Sequence, residues 1–104
     1  MTFTNSAARL IEREGFKLRI DEMDSLGLGG GALFEPEVLA ALRQWVRPGM
    51  TVVDIGANIG YFTVHLSRLV GAHGVVHAFE PEPVNFSILT ENVDMNGLTN
   101  VRLH

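Results

Sequence analysis

Asp54-Ile-Gly-Ala-Asn-Ile-Gly60 and Glu80 are the residues whose types and spacing could do chemistry in this chain. The run Val52-Val53-Asp54-Ile55-Gly56-Ala57-Asn58-Ile59-Gly60-Tyr61-Phe62 reads as a buried strand passing through a tight turn directly into a helix. Glycine at 56 lets the backbone turn sharply and approach a ligand, because any Cβ there would intrude. Gly60 lets the following helix approach the sheet. The first free N–H groups of that helix form an anion site for a carboxylate or phosphate. Asp54, at the C-terminal end of the strand, offers an acceptor to a ligand ammonium, directly or through water. Phe79-Glu80-Pro81 ends the next apolar run, where an acidic side chain can accept hydrogen bonds from both ribose hydroxyls.

These positions together fit a ligand with an adenosyl group, a ribose and an amino-acid end. S-adenosylmethionine has all three. A nicotinamide cofactor fits less well because the Gly-x-Gly-x-x-Gly spacing is absent, and a P-loop is excluded because no Gly-Lys-Ser/Thr occurs.

The elements that must position these groups follow from the patterning. Residues 51–55 and 75–79 are short runs rich in β-branched residues, and residues 101–103 begin a third. Between them, residues 59–70 and 83–96 repeat apolar positions at helical spacing, with Phe62, Leu66 and Leu69 on one side of the first. Gly71–Gly74 is a turn, and Asn96-Gly97 supplies a left-handed helix cap. Strands alternating with helices imply a parallel sheet, so residues 49–104 read as a Rossmann-like βαβαβ half of a doubly wound α/β fold. Upstream, residues 5–14 are expected as a short helix on Ala8, Leu10 and Ile11, and residues 16–20 as a half-exposed strand. Residues 26–34 form a flexible glycine loop, with Gly27, Gly29, Gly30 and Gly31 as a lid or a plain linker. A helix starts at Pro36, and its buried face is expected to hold Val38, Leu39, Leu42, Trp45 and Val46 before Pro48-Gly49 stops it.

The 104 residues allow one domain, and 46% hydrophobic with 19% charged content reads as globular. A net charge of −4 with scattered basic residues gives no support for nucleic acid or anionic membrane as a partner. Absence of cysteine excludes disulfides and thiolate zinc sites. With no secretory pattern at residues 1–11 and no long apolar stretch, the default expectation is a soluble cytoplasmic protein.

The segment from Asp54 to Gly60 resembles the first motif of class I S-adenosylmethionine-dependent methyltransferases, usually Asp/Glu-x-Gly-x-Gly-x-Gly, with Asn58 in place of the middle glycine as in FkbM-type enzymes. Phe79-Glu80-Pro81, Asn92-Val-Asp-Met-Asn-Gly-Leu-Thr-Asn-Val101 and Phe34-Glu35-Pro36 are similar to that family too. The resemblance covers roughly residues 30–104 and implies one partial methyltransferase domain over residues 1–104. Residues 1–48 are its N-terminal strand/helix extension and 49–104 its cofactor-binding half. It implies that Asp54, Gly56, Ala57, Asn58 and Gly60 hold the methionine end, that Glu80 holds the ribose, and that Pro81 lies near the adenine. It further implies O-methyl transfer to a hydroxyl of a small molecule or sugar. The family's later strands, which carry much of its acceptor site, are missing.

Plainer readings stand beside these. Asn85 and Asn92 are expected on the surface or a helix face rather than on ligand, Trp45 and Phe62 in the core, and His65, His73, His77 and His104 in no metal or catalytic set. Glu35 is either an acid at a helix start or a cofactor-site residue. No base that could deprotonate an acceptor is identified. The alternative function is a non-catalytic fragment or module that self-associates through an open sheet edge near Val101.

Overall fold

The computed structural model describes residues 9–30 and 34–104. Three strands, β3 (Thr51–Ile55), β4 (Val75–Phe79) and β5 (Val101–Leu103), form a parallel sheet in that order. Their bounds coincide with the β-branched runs, which favour a pleated, buried surface. Helices α2 (Tyr61–Val70) and α3 (Pro83–Met95) both pack on one face of this sheet. There Leu66 and Val70 of α2, and Leu89 and Val93 of α3, close over Val76, Ala78 and Val101.

Helix α2 begins two residues later than its apolar pattern suggests. Asn58 (φ 56°) and Gly60 (φ 99°) are both left-handed, so no helical turn can form until Tyr61. It also buries more than one stripe, because Tyr61, Thr63, Val64, His65, Leu66, Ser67 and Val70 are all buried. Its far side meets a second cluster of Phe16, Leu18, Ile20, Leu28 and Ile88. Asn100 ends α2 by donating to Ser67 and Gly71 carbonyls, both at 2.9 Å.

That second cluster is built by an antiparallel hairpin, β1 (Leu10–Arg13) and β2 (Phe16–Arg19). The expected helix over 5–14 is therefore corrected: residues 10–13 are a strand, and residues 5–8 lie outside the described residues. The reason is the two-residue turn Glu14-Gly15, both with positive φ (47° and 85°), whose twist suits paired strands. Arg68 of α2 clamps this turn, donating to the Glu14 carbonyl at 2.9 Å while its guanidinium lies 3.8 Å from the Phe16 ring centroid.

Asn92 lies on a helix face, the position expected for it, but that face is turned inward. It is fully buried on α3, where Nδ2 donates to the Arg19 and Ile59 carbonyls and Oδ1 accepts from Arg19 N–H. One turn later Asn96 makes the same two-way pairing with Lys17. The side-chain amides thus satisfy the edge of β2 that β1 does not cover, as a neighbouring strand would.

The glycine segment is a wired loop over its described part. Asp24 accepts from Leu28 and Gly29 N–H, Arg13 donates to the Leu28 carbonyl, and Leu28 enters the core as part of a short 3₁₀ turn (Leu28–Gly30). Gly31 lies outside the described residues.

Helix α1 (Pro36–Trp45) buries only part of its apolar arc. Leu39 is buried and Leu42 and Val46 are half-buried, but Val38 is exposed and Trp45 is 70% exposed. The core position expected for Trp45 is thus corrected: α1 packs beside α2, and nothing among the described residues covers that side of the arc. The strand of Val101, β5, is an edge of the described sheet, as expected; Val101 itself is buried on the covered face, while Val53 (58% exposed) and Ile55 (82%) stand bare on the other.

Candidate functional site

The turn after β3 is fastened to the end of β4. Gly56 and Ala57 N–H both donate to the Phe79 carbonyl, at 2.9 and 3.0 Å, and Asn58 N–H donates to Glu80 Oε1 at 2.7 Å. Asn58 Oδ1 in turn accepts from Ile59 N–H at 2.9 Å. The amides of residues 56–59 are therefore engaged within the protein, and the turn offers a ligand its shape rather than these donors. Glu80 Oε2 accepts from Glu82 N–H at 3.0 Å, and the Glu82 side chain caps α3 through Asn85 N–H. Asn85 thus contributes its backbone amide to a helix cap.

Gly60 is required by its left-handed backbone (φ 99°), and a Cβ there would also come within 2.8 Å of Leu89 Cδ1, a side-chain tip that would have to shift. The neighbour that gains from the glycine is α3, not the sheet. At Gly56 (φ 73°) a Cβ would meet no protein atom within 4 Å, so the backbone borders open space.

That space is a cavity of about 170 Å³. Asp54, Gly56, Ala57 and Asn58 line it, as the motif requires, together with Glu35, Leu26, Phe34, Tyr61 and Phe62. Glu80, Gly60 and Pro81 do not line this cavity: Glu80 bonds the backbone of Asn58, which does, Gly60 is buried, and Pro81 is exposed. At the chain reversal Phe34-Glu35, the exposed Glu35 is left-handed (φ 44°), makes no side-chain cap bond to α1, and is among the residues lining the cavity. Leu26, Phe34, Tyr61 and Phe62 were not expected there. Phe62 had the helical spacing of a core residue, and the glycine-rich composition around Leu26 hid its packing.

Asp54 is half-buried, and its Oδ2 accepts from Thr63 Oγ1 at 2.7 Å. Burial raises its pKa, the Glu80 charge adds to the rise, and the Thr63 hydrogen bond opposes it. A carboxylate short of solvation in a cavity with a second acid, Glu35, suits a cation. The residues present therefore fit S-adenosylmethionine: acids for its ammonium and sulfonium ends, a carboxylate at the strand end for the ribose, and a backbone wall without a side chain at Gly56.

A second, apolar cleft of about 350 Å³ adjoins the first. Val38, Leu42 and Val46 of α1, Val52 and Val53 of β3, and Leu66 line it, and it shares Asp54 and Phe62 with the cofactor cavity.

No histidine lines either cavity. His65 is buried between the Phe16 and Tyr61 rings, and burial holds its pKa down at about 4. Parallel pairing brings His77 Nδ1 within 3.0 Å of His104 Nε2 on the bare sheet face, a meeting their sequence spacing conceals. Among the described residues no three metal-ligating side chains come together.

The family model of the methyltransferase FkbM domain matches residues 54–102. The 31-O-demethyl-FK506 methyltransferase FkbM of Streptomyces tacrolimicus is 49% identical over 47 residues, which are 45% of this chain and 18% of that protein. The catalytic subunit of the tRNA (adenine(58)-N(1))-methyltransferase of Cryptococcus neoformans is 38% identical over 72 residues, 68% of this chain and 17% of that protein. The chain thus spans less than a fifth of the length of either relative. A crystal structure of an S-adenosylmethionine-dependent methyltransferase from Aquifex aeolicus matches with a TM-score of 0.59 at 33% identity, covering 69% of this chain and 38% of that one. Motif, cavity and likeness agree: over residues 54–102 the chain is similar to the class I S-adenosylmethionine-dependent methyltransferases of the FkbM type.

Proposed function

We propose that this chain holds S-adenosylmethionine for methyl transfer to a hydroxyl of a small molecule or sugar. The observation that carries the reading is one turn served by both strand-end acids: Asp54 lines the cavity at the turn, and Glu80, at the end of the adjacent parallel strand, bonds the Asn58 backbone of the same turn. When bound, the cofactor supplies a methyl group on a positively charged sulfur, open to in-line displacement. Asp54 and Glu35 neutralise its cationic end, Glu80 orients the ribose while holding Asn58, and Pro81 borders the adenine side. Asn58 shapes the turn, Gly56 and Ala57 form its backbone wall, and Gly60 lets α3 close behind it. This share of the chemistry is positioning.

The apolar cleft beside α1 supports a small acceptor, because it shares Asp54 and Phe62 with the cofactor cavity and has room for a compact apolar body. Relatives of this chain include enzymes named for 31-O-demethyl-FK506 and for tRNA, so acceptor class is the point to test. The chain is incubated with methyl-labelled S-adenosylmethionine and, separately, with compact apolar alcohols, sugars, tRNA and protein. Label on a small hydroxyl is the expected result. Label on tRNA or protein instead overturns the acceptor class.

A second reading, a cofactor-binding module that self-associates without turnover, is favoured by the bare apolar groups Val53, Ile55 and Trp45. Cofactor binding with no label transferred to any acceptor would support it over the first.

A further inference from the structure

We infer that the aromatic cluster Phe34, Tyr61 and Phe62, with the carboxylates of Asp54 and Glu35, makes the cavity selective for the positive charge of an alkylated sulfonium. The chain then separates the charged methyl donor from its neutral demethylated product. This rests on the cofactor reading above.

The three rings line the cavity together and brace one another, with centroids 5.1–5.7 Å apart and interplanar angles of 39–90°. Rings set at such angles present both faces and edges, and the electron-rich faces attract a cation. Tyr61 cannot swing away, because its hydroxyl donates to Glu14 Oε1 at 2.9 Å on the hairpin turn. Phe34 and Phe62 are only half-buried, which leaves part of each ring for a ligand. A sulfonium spreads its charge over attached carbons and is poorly hydrated, so it gives up little solvation against an aromatic wall. The demethylated thioether has no charge and keeps only the dispersion contact. Asp54 and Glu35, on the same cavity, reinforce the sign of the selection. Were the rings only core packing, trimming one would weaken both ligands alike.

Isothermal titration of the 104-residue chain with S-adenosylmethionine and S-adenosylhomocysteine decides this. Phe62→Leu and Phe34→Leu are each expected to weaken S-adenosylmethionine by roughly three- to tenfold, with S-adenosylhomocysteine within about twofold of wild type. Retained S-adenosylhomocysteine binding shows that the variants fold. Glu35→Gln shifts the ratio in the same direction, and Phe62→Tyr, which keeps a ring, restores it. Equal weakening of both ligands, or none of either, overturns the inference and leaves the cofactor reading intact. A folded wild-type chain that binds neither overturns the cofactor reading, and the inference falls with it.

Discussion

The two faces of the parallel sheet both carry apolar residues and have opposite fates. On one, Val76, Ala78 and Val101 disappear under Leu66, Val70, Leu89 and Val93. On the other, Val53, Ile55 and Phe79 stand exposed around a pair of touching histidines. Parallel strands are apolar on both sides because such sheets are ordinarily covered on both. Burial in this molecule is therefore decided by which helices the chain supplies, not by the strands themselves. The candidate site lies where the covered half ends, at the C-terminal tips of β3 and β4.

The sharpest way to break this contrast is at the junction of α3 with the hairpin. Asn92→Ala strands the Arg19 N–H and the Arg19 and Ile59 carbonyls without partners. It is expected to cost about 3–5 kcal/mol in denaturant unfolding.

Acid should attack the same covered side. His65 ionises near 6.5 in the unfolded chain but, through burial, only near 4 in the fold. The unfolded state therefore binds the proton first. Stability contributed at neutral pH is lost as pH falls from about 6.5 towards 4, on the order of 3 kcal/mol in total. His65→Phe is expected to flatten that stretch of a stability–pH profile, and an unchanged profile would exclude His65 as its source.

A smaller pair of effects compares the faces directly. Val76→Ala, on the covered face, is expected to cost about 2–3 kcal/mol. Ile55→Ala, on the bare face, should change stability by less than about 0.5 kcal/mol. The second substitution should instead reduce concentration-dependent association in sedimentation. Equal costs at the two positions would show that the bare face is covered in solution.

The parts legible in the sequence are those with local causes. Strands β3, β4 and β5 fall where the β-branched runs stand between turns, and Asp54 and Glu80 are readable as strand-end acids because their neighbours are apolar. The hairpin was hidden because Leu10 and Ile11 also suit a helix, and Glu14-Gly15 is a weaker turn signal than Asn-Gly. The apolar arc of α1 shows that Trp45 belongs against something, but no pattern in a single helix says whether that partner is present. Asn92 and the aromatic wall depend on contacts across distant segments: Arg19 for Asn92, and the approach of Phe34 to Tyr61 and Phe62. Helical spacing alone places Phe62 in a core, and only the tertiary structure shows that it borders two cavities.

The central claim is that Asp54 and Glu80 hold S-adenosylmethionine at this turn, and calorimetric titration of wild type, Asp54→Asn and Glu80→Ala tests it most directly. The expected result is saturable binding by wild type and at least tenfold weakening in each variant. Because burial raises the pKa of Asp54, Asp54→Asn should also leave the ligand-free chain at least as stable as wild type at neutral pH. Binding that survives both substitutions unchanged would contradict the account, as would a folded wild-type chain that takes up no cofactor.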